Sequence, residues 1–315
     1  MIVKELDLKL DYEKAGLPTP TVQPKFIGFI PKNYDEYCGD RRRPAVLVLP
    51  GGSYAYTSER EATPVALEFL TCGAASFLLH YSVAPDRFPI SVCQVYAAIK
   101  QIRENADEWN IDPNNIAVIG FSAGGHLAAS SGVLWNTDII RKCGFEGERH
   151  KPNGLILSYP VISGGEKAHR GSFNNLLGEN ADPEMVEYLS LENRVTSDTP
   201  RTFIWHTYAD DCVPVENSLL FASALVKNGV QTELHIYPHG YHGLSLCNDI
   251  MSKNIDGFRK NATWVALAKE WLIKDKKGRF RPIYGSVKVS TGILIRGKRA
   301  ELRQSLKRPH FKIKR

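Results

Sequence analysis

A serine flanked by glycines carries the clearest sign of chemistry in this sequence. The pentapeptide Gly120–Gly124 reads Gly-Phe-Ser-Ala-Gly and follows the apolar run Ile116–Ile119. That run predicts a short buried strand after a turn at Asp112–Asn115, and the small residues that follow the serine predict a buried helix. A strand, a sharp turn and a helix would expose Ser122 at a strained elbow whose flanking glycines avoid backbone collisions. The pattern predicts Ser122 as a nucleophile, with the Ala123 amide directed at the same point.

A serine nucleophile needs a histidine base, and the base needs a carboxylate that orients it. In a site built on such an elbow, the acid and then the histidine follow the serine along the chain. The apolar run Phe203–His206 predicts a strand, and the loop after it contains Asp210 and Asp211. Either carboxylate can serve as the acid, and Asp210 is preferred. The alternative role of both is loop solvation or capping of the next helix.

The base is predicted to follow the next strand, Leu234–Tyr237. His242 lies in the loop after this strand and is the predicted base. His239 is closer to the strand end, where it could be structural or contact a substrate, and His235 lies within the strand, where packing is its expected role. A metal pair of His239 and His242 lacks a third ligand in the sequence, so no metal is predicted.

Acyl transfer also needs hydrogen-bond donors for the oxyanion that develops on the substrate. The apolar run Val46–Leu49 leads into Pro50–Tyr54, a loop that contains two consecutive glycines. The backbone amides of Gly52 and Ser53, together with that of Ala123, are predicted to surround the oxyanion. The alternative for this loop is an ordinary Gly-Gly turn.

Strand and helix patterns alternate along the rest of the chain, which predicts a mostly parallel, doubly wound sheet with helices on both faces. Two stretches, 136–153 and 162–199, do not fit the alternation and are predicted as cap or pocket-lining segments beside the elbow. The predicted strands are 26–30, 45–49, 74–79, 116–119, 154–159, 202–206 and 233–237, and the predicted helices are 64–70, 91–108, 216–227 and 261–273.

Charge divides the 315-residue chain into two unequal parts. Residues 275–315 carry 14 Lys or Arg against 2 Asp or Glu, which leaves 26 basic and 32 acidic residues in 1–274. We therefore predict one domain over 1–275 and a basic C-terminal extension over 276–315. The mildly acidic domain is not expected to bind nucleic acid, whereas the extension is either a solvated tail, the preferred reading, or a contact for anionic surfaces or another subunit.

Several classes of protein are not indicated by the sequence. The start of the chain has no apolar signal region, and no apolar run approaches the roughly 18 residues that a membrane span needs. The six cysteines show no Cys-x-x-Cys pair, which favours a reduced, cytoplasmic protein without a zinc site. Phosphate-binding glycine motifs are missing, so no cofactor is predicted.

The chain resembles the α/β-hydrolases of the esterase and lipase superfamily. It is most similar to the carbohydrate-esterase and acetyl-xylan-esterase-like branch, which is related to the dienelactone hydrolase and prolyl-oligopeptidase families. The resemblance spans about 45–275 and rests on the segments Leu49–Tyr54, Ser58–Glu61, His80–Pro85, Gly120–Leu127, Val213–Ser218 and Gly240–Gly243. It implies Ser122, Asp210 and His242 as the catalytic residues. Ser53 stands where this branch often has a third glycine, and the tail from about residue 285 has no counterpart in it.

The expected function is a serine carboxylesterase that acts on short acyl esters, such as acetyl groups on xylo-oligosaccharides or other sugars. The expected partner is a small-molecule ester, with no membrane and no defined oligomeric state. One alternative uses the same three residues for amide bonds, as in an arylformamidase or a prolyl-oligopeptidase-like peptidase. A third reading is a non-catalytic binding protein, which an intact set of catalytic residues argues against.

Overall fold

The computed structural model of the chain describes residues 1–36, 39–252 and 256–274. The predicted extension 276–315 lies outside the described residues. The strands are β1 (Ile2–Leu6), β2 (Lys25–Ile30), β3 (Arg43–Leu49), β4 (Ala75–His80), β5 (Ile111–Phe121), β6 (Gly154–Ser158), β7 (Arg201–Thr207) and β8 (Thr232–Tyr237). The α-helices are α1 (Thr63–Leu70), α2 (Ile90–Glu104), α3 (Ala123–Val133), α4 (Asp138–Lys142), α5 (Arg170–Leu177), α6 (Pro183–Tyr188), α7 (Glu216–Lys227) and α8 (Thr263–Ile273). Short 3-10 turns lie at Glu59–Glu61, Leu191–Arg194 and Asp256–Ala262.

All eight strands form one sheet in the order β1-β2-β4-β3-β5-β6-β7-β8. Strands β3 to β8 run parallel to one another, whereas β2 pairs antiparallel with both β1 and β4. The apolar runs become the central strands because a parallel sheet is covered on both faces. This is the mostly parallel, doubly wound sheet that the sequence predicts.

Two apolar cores cover the two faces of the sheet. Strand β3 contributes to both, because its successive side chains point to opposite faces. Its residues Ala45, Leu47 and Leu49 pack with α2, α3 and α7. Its residues Val46 and Val48 face the other way and pack with α1 and α8. All five side chains are completely buried, so the strand that leads into the predicted oxyanion loop is fixed from both sides.

The strands differ from the predicted ones at an edge of the sheet and within the strand before Ser122. Strand β1 is not among the predicted strands, because it is an exposed edge strand in which Lys4 and Glu5 interrupt the apolar residues. The turn at Asp112–Asn115 does not precede the elbow strand but forms a bulge inside β5. The pairing of β5 with β3 changes register between Ile111 and Ile116. Within this bulge the Asn114 amide donates to the Asp112 carboxylate over 2.9 Å.

The two irregular segments lie at opposite ends of the sheet, so the prediction that both flank the elbow is wrong for the first. Segment 136–153 leads into the beginning of β6, and its Asn153 amide donates to the carbonyl of Ile116 at 2.8 Å. Segment 162–199 follows the carboxyl end of β6, as predicted. It reaches the Gly51–Tyr54 loop, where Asn175 donates its side-chain amide to the Ser53 carbonyl at 2.9 Å.

The junction between β5 and α3 holds Ser122 in a left-handed backbone conformation, with φ of 53°. The neighbouring backbone segments approach so closely that only glycine fits. A Cβ on Gly120 would lie 2.1 Å from the Gly124 carbonyl oxygen, and a Cβ on Gly124 would lie 2.3 Å from that of Leu49. Strain at Ser122 is therefore maintained by contacts between β5, α3 and β3.

His126, one turn into α3, joins three parts of the chain through its buried ring. Its Nε2 lies 3.0 Å from the Leu189 carbonyl and its Nδ1 lies 2.9 Å from the Tyr54 hydroxyl. A carbonyl can only accept, so Nε2 carries the proton and Nδ1 accepts from Tyr54. Burial lowers the pKa of His126 to about 4, which keeps the ring neutral.

No helix within the described ranges combines the length and the apolar character that crossing a bilayer requires.

The close approach at the elbow predicts a large effect of one added methyl group. We expect Gly120→Ala to lower the free energy of unfolding by at least about 3 kcal/mol, because the Gly124 backbone would have to move. Gly171→Ala is the matched control, since its new Cβ meets only the His169 ring carbon at 3.5 Å, and it should change stability by less than about 1 kcal/mol. Urea unfolding measures both, and equal effects of the two changes would contradict the close packing.

The neutral His126 predicts a pH-dependent stability. Its pKa is about 4 in the folded chain and about 6.5 in the unfolded chain. Between these values only the unfolded chain binds the proton, so stability falls as pH falls from 6.5 to 4. The lost free energy is about 3 kcal/mol in total.

Urea unfolding at a series of pH values tests this expectation. His126→Gln should remove about 3 kcal/mol of the pH dependence, whereas His239→Gln, at an exposed histidine, should leave it unchanged. A His126→Gln protein that keeps the slope of the unsubstituted chain would show that the buried ring does not titrate as described.

Candidate active site

Ser122 and His242 come together at the carboxyl ends of the parallel strands. Ser122 follows β5 and His242 lies in the loop after β8, and the serine Oγ is 2.8 Å from Nε2 of the histidine. The structure therefore brings the predicted nucleophile and the predicted base within hydrogen-bonding distance, although 120 residues separate them. The Ser122 side chain is nearly buried, with 6% of the residue exposed.

Asp210 rather than Asp211 contacts the ring of His242. Its Oδ2 accepts from His242 Nδ1 over 2.8 Å, and its side chain is 1% exposed. Asp211 instead accepts from the backbone amide of His242 at 3.3 Å. With Nδ1 donating to a carboxylate, Nε2 of His242 has a free lone pair that can accept the Ser122 proton.

Four donors surround the Asp210 carboxylate and keep it charged. Its Oδ1 accepts from the amides of Cys212 and Val213, at 3.0 and 2.8 Å. Its Oδ2 is shared between His242 and His206, the latter at 3.2 Å. Burial by itself would raise the pKa of Asp210, but the hydrogen bonds from His206 and His242 outweigh it and hold the pKa well below its usual range.

His206 is a site residue that the sequence analysis did not identify. It is the buried penultimate residue of β7, and its Nε2 also donates to the Val213 carbonyl at 3.0 Å. The Ser218 hydroxyl lies 2.7 Å from its Nδ1, which must accept because Nε2 donates. A histidine at the end of an apolar strand, four residues before Asp210, was the available signal.

The loop Gly51–Tyr54 lies beside Ser122, as predicted. The Gly51 amide donates to the carboxylate of Glu61 at 2.8 Å, and the Ser122 amide donates to the Ser158 carbonyl at 3.0 Å. Neither of these bonds uses the amides of Gly52, Ser53 or Ala123, which are the predicted oxyanion donors. Gly52 and Ser53 both have positive φ, 127° and 57°, so the loop is held in a conformation that an extended chain would not adopt.

Segment 162–199 adds a third histidine near this site. His169 precedes α5 and accepts at Nδ1 from the Ser172 amide over 3.3 Å, so a proton on the neutral ring must sit on Nε2. Burial lowers the pKa of His169, and the charge of the nearby His242 lowers it further. This segment therefore contributes a neutral, polar side chain to the surroundings of His242.

The remaining predicted histidines lie away from the contacts between Ser122, His242 and Asp210. His239 has an exposed side chain, and its carbonyl accepts from the Asn261 side-chain amide at 2.8 Å. His235 lies on β8 and pairs with Glu233 at 2.8 Å. Among the residues that the structure describes, no three His, Cys, Asp or Glu side chains form a group able to hold a metal ion.

The arrangement can move a proton from a serine to an imidazole while a carboxylate stabilises the charge that forms. It also offers backbone amides to an oxyanion beside the same serine. This combination fits acyl transfer from an ester or an amide through a covalent serine intermediate.

Comparison with known proteins places the chain among hydrolases of this kind. The sequence model of the BD-FAE family matches residues 34–225. The chain is 36% identical to endo-1,4-beta-xylanase B of Butyrivibrio fibrisolvens over 261 residues, which cover 76% of this chain and 41% of the relative. It is 34% identical to an acetylxylan esterase of Xylanibacter ruminicola, over 63% of this chain and 40% of the relative. The chain thus spans well under half the length of both curated relatives.

Two solved structures share the whole fold. An acetyl ester-xyloside bifunctional hydrolase from Caldicellulosiruptor lactoaceticus has 39% identity and a TM-score of 0.72, with 85% of this chain and 94% of that chain covered. The carboxylesterase Cest-2923 from Lactobacillus plantarum has 25% identity and a TM-score of 0.72, with 86% and 97% covered. Since the family match extends over more than half of the chain, this protein belongs to the BD-FAE family and has the α/β-hydrolase fold.

Proposed function

We propose that the chain is a serine carboxylic ester hydrolase with Ser122, His242 and Asp210 as its catalytic residues. The observation that carries the proposal is the hydrogen-bonded chain from Ser122 Oγ to His242 Nε2 at 2.8 Å and from His242 Nδ1 to Asp210 at 2.8 Å. A free serine hydroxyl is a poor nucleophile, so a base in contact with it is the feature that esterase chemistry needs.

In the proposed reaction, His242 takes the Ser122 proton as Oγ attacks the ester carbonyl carbon. The carbonyl oxygen becomes an oxyanion that accepts from the amides of Gly52, Ser53 and Ala123. His242 then gives its proton to the leaving alcohol, which leaves an acyl group on Ser122. Water enters, loses a proton to His242 and attacks the acyl carbon. The carboxylic acid departs and the proton returns to Ser122.

Asp210 has an electrostatic part in both steps. Its buried carboxylate holds Nδ1–H of His242 and stabilises the imidazolium that forms when Nε2 takes a proton. Because the pKa of Asp210 is held well below its usual range, this carboxylate stays charged through the pH range in which His242 acts as a base.

For the substrate we propose short acyl esters, with acetylated xylo-oligosaccharides or other acetylated sugars as the natural class. Support comes from similar proteins named for acetylxylan esterase and acetyl ester-xyloside hydrolase activities. The relatives described above have names of ester or xyloside hydrolases, which does not favour a peptidase or an arylformamidase.

Removal of the proposed nucleophile predicts a loss of esterase activity. We expect Ser122→Ala to lower kcat/KM on p-nitrophenyl acetate by at least about 10⁴-fold, since no other group on the elbow can form the acyl intermediate. A fluorophosphonate probe should label the unsubstituted chain and leave the variant unlabelled. Ser197→Ala, at an exposed serine, is the control and should keep full activity. Full activity in Ser122→Ala would refute the proposed mechanism.

The proposed acyl preference predicts a decline with chain length. We expect kcat/KM on p-nitrophenyl acetate to exceed that on the octanoate by at least about tenfold, because extra methylenes must find room beside the nearly buried Ser122. Acetate release from acetylated xylo-oligosaccharides, measured against p-nitrophenyl esters of increasing length, tests both halves of the substrate proposal. A preference for octanoate, or no acetate release from the sugars, would contradict it.

A further inference from the structure

Glu61 is a buried carboxylate beside the site that the proposed reaction does not use. It ends the 3-10 turn Glu59–Glu61, and only 3% of the residue is exposed. Its Oε2 accepts from the Gly51 amide over 2.8 Å, and its Oε1 accepts from the Tyr159 hydroxyl over 2.6 Å. One side of this carboxylate therefore holds the loop that carries Gly52 and Ser53.

Tyr159 connects the Glu61 carboxylate to the loop that carries His242. The Tyr159 hydroxyl accepts from the Ser245 amide at 2.9 Å. The Tyr159 ring packs edge-on against the His242 ring, with centroids 5.0 Å apart and planes at 70°. Tyr159 thus contacts His242 directly and also fixes the backbone three residues after it.

The hydrogen bonds of Glu61 favour its anionic form, although burial leaves the pKa of this carboxyl above its ordinary value. Both partners donate to it, and a carboxylate accepts at both oxygens without conflict. Burial raises the pKa of Glu61, whereas the bonds from Tyr159 and Gly51 and the charge of His242 favour the ionised form. Attraction between Glu61 and a charged His242 is therefore a part of the site's electrostatics.

We propose that Glu61 is a positioning residue for ester hydrolysis, which holds the Gly51–Tyr54 loop and the His242 loop together and stabilises the His242 imidazolium with its buried charge. This inference rests on the proposed function. It adds a second carboxylate to the site, which is joined to the proposed oxyanion loop through the Gly51 amide.

Several charged and titratable groups besides Glu61 act on His242 or on Glu61 itself. Asp210 and Asp211 contact the ring and the backbone of His242, and the charge of His242 is felt by His169. Besides the Gly51 amide, the titratable side chains that interact with Glu61 include Arg60, Tyr81, Tyr159 and His242. None of these side chains is altered in the experiment below, so their contributions are common to all variants.

The experiment measures the pH profile of kcat/KM on p-nitrophenyl acetate for three variants. Glu61→Gln keeps the shape of the side chain and removes its charge, whereas Glu61→Asp keeps the charge and shortens the reach. Glu59→Gln makes the same charge change at an exposed position of the same 3-10 turn. Thermal unfolding of each variant identifies any that do not fold, and fluorophosphonate labelling counts active sites so that rates refer to folded protein.

The acidic limb of the profile reports protonation of the base. In Glu61→Gln we expect this limb to move to lower pH by about 0.5–1 unit and the plateau of kcat/KM to fall by about tenfold or more, with kcat affected more than KM. In Glu61→Asp the limb should stay in place while the plateau falls. Glu59→Gln should match the unsubstituted chain because solvent screens its charge.

Two results would overturn the inference. One is a plateau that falls in Glu61→Gln without any movement of the acidic limb, which marks a purely structural role. The other is a profile identical to that of the unsubstituted chain. Either result leaves the proposed function intact provided that Ser122→Ala is inactive, whereas activity in Ser122→Ala removes the function itself, so the two failures are distinguishable.

Discussion

The positive φ of Ser122 is the constraint on which the rest of the site depends. A residue with a side chain avoids this conformation unless its surroundings impose it, and here the contacts of Gly120 and Gly124 with neighbouring backbone impose it. Because those contacts join β5, α3 and the end of β3, the serine and the Gly51–Tyr54 loop are positioned by the same packing. Reactivity at the elbow is thus a consequence of how tightly the central strands and α3 approach one another.

A second consequence of this packing is that His242 lies between two networks of hydrogen bonds. On one side Asp210 is held by His206 and two loop amides. On the other side Tyr159 is held by Glu61 and the Ser245 amide. Each network contains a nearly buried carboxylate that accepts hydrogen bonds, and a negative charge on either carboxylate favours a proton on the ring. The serine Oγ then faces an imidazole that Asp210 holds by a hydrogen bond and Tyr159 contacts with its ring.

Local patterns account for what the sequence could reveal. Central strands such as β3 are continuous apolar runs, so the confirmed fold could be predicted from short stretches of sequence. The position of Ser122 at the elbow could be predicted in the same way, because the elbow has glycines at the two positions where a Cβ would collide. Asp210 and His242 were found from chain order after β7 and β8, and the structure brings both into contact. Edge strand β1 and the bulge within β5 were not predicted, because each is defined by its pairing with a strand that is distant in sequence.

The burial of a charged group is the feature that is hardest to predict from a short stretch of sequence. Glu59 and Glu61 are two residues apart in one turn, yet the first is exposed and the second is 3% exposed. No propensity or period separates them, because the difference arises from Tyr159 and Gly51, which follow β6 and β3. A buried carboxylate is tolerated only where donors meet it, and those donors are gathered by the folded chain alone. The site's electrostatics are therefore a property of tertiary structure, whereas its proposed nucleophile is predicted by a motif of five residues.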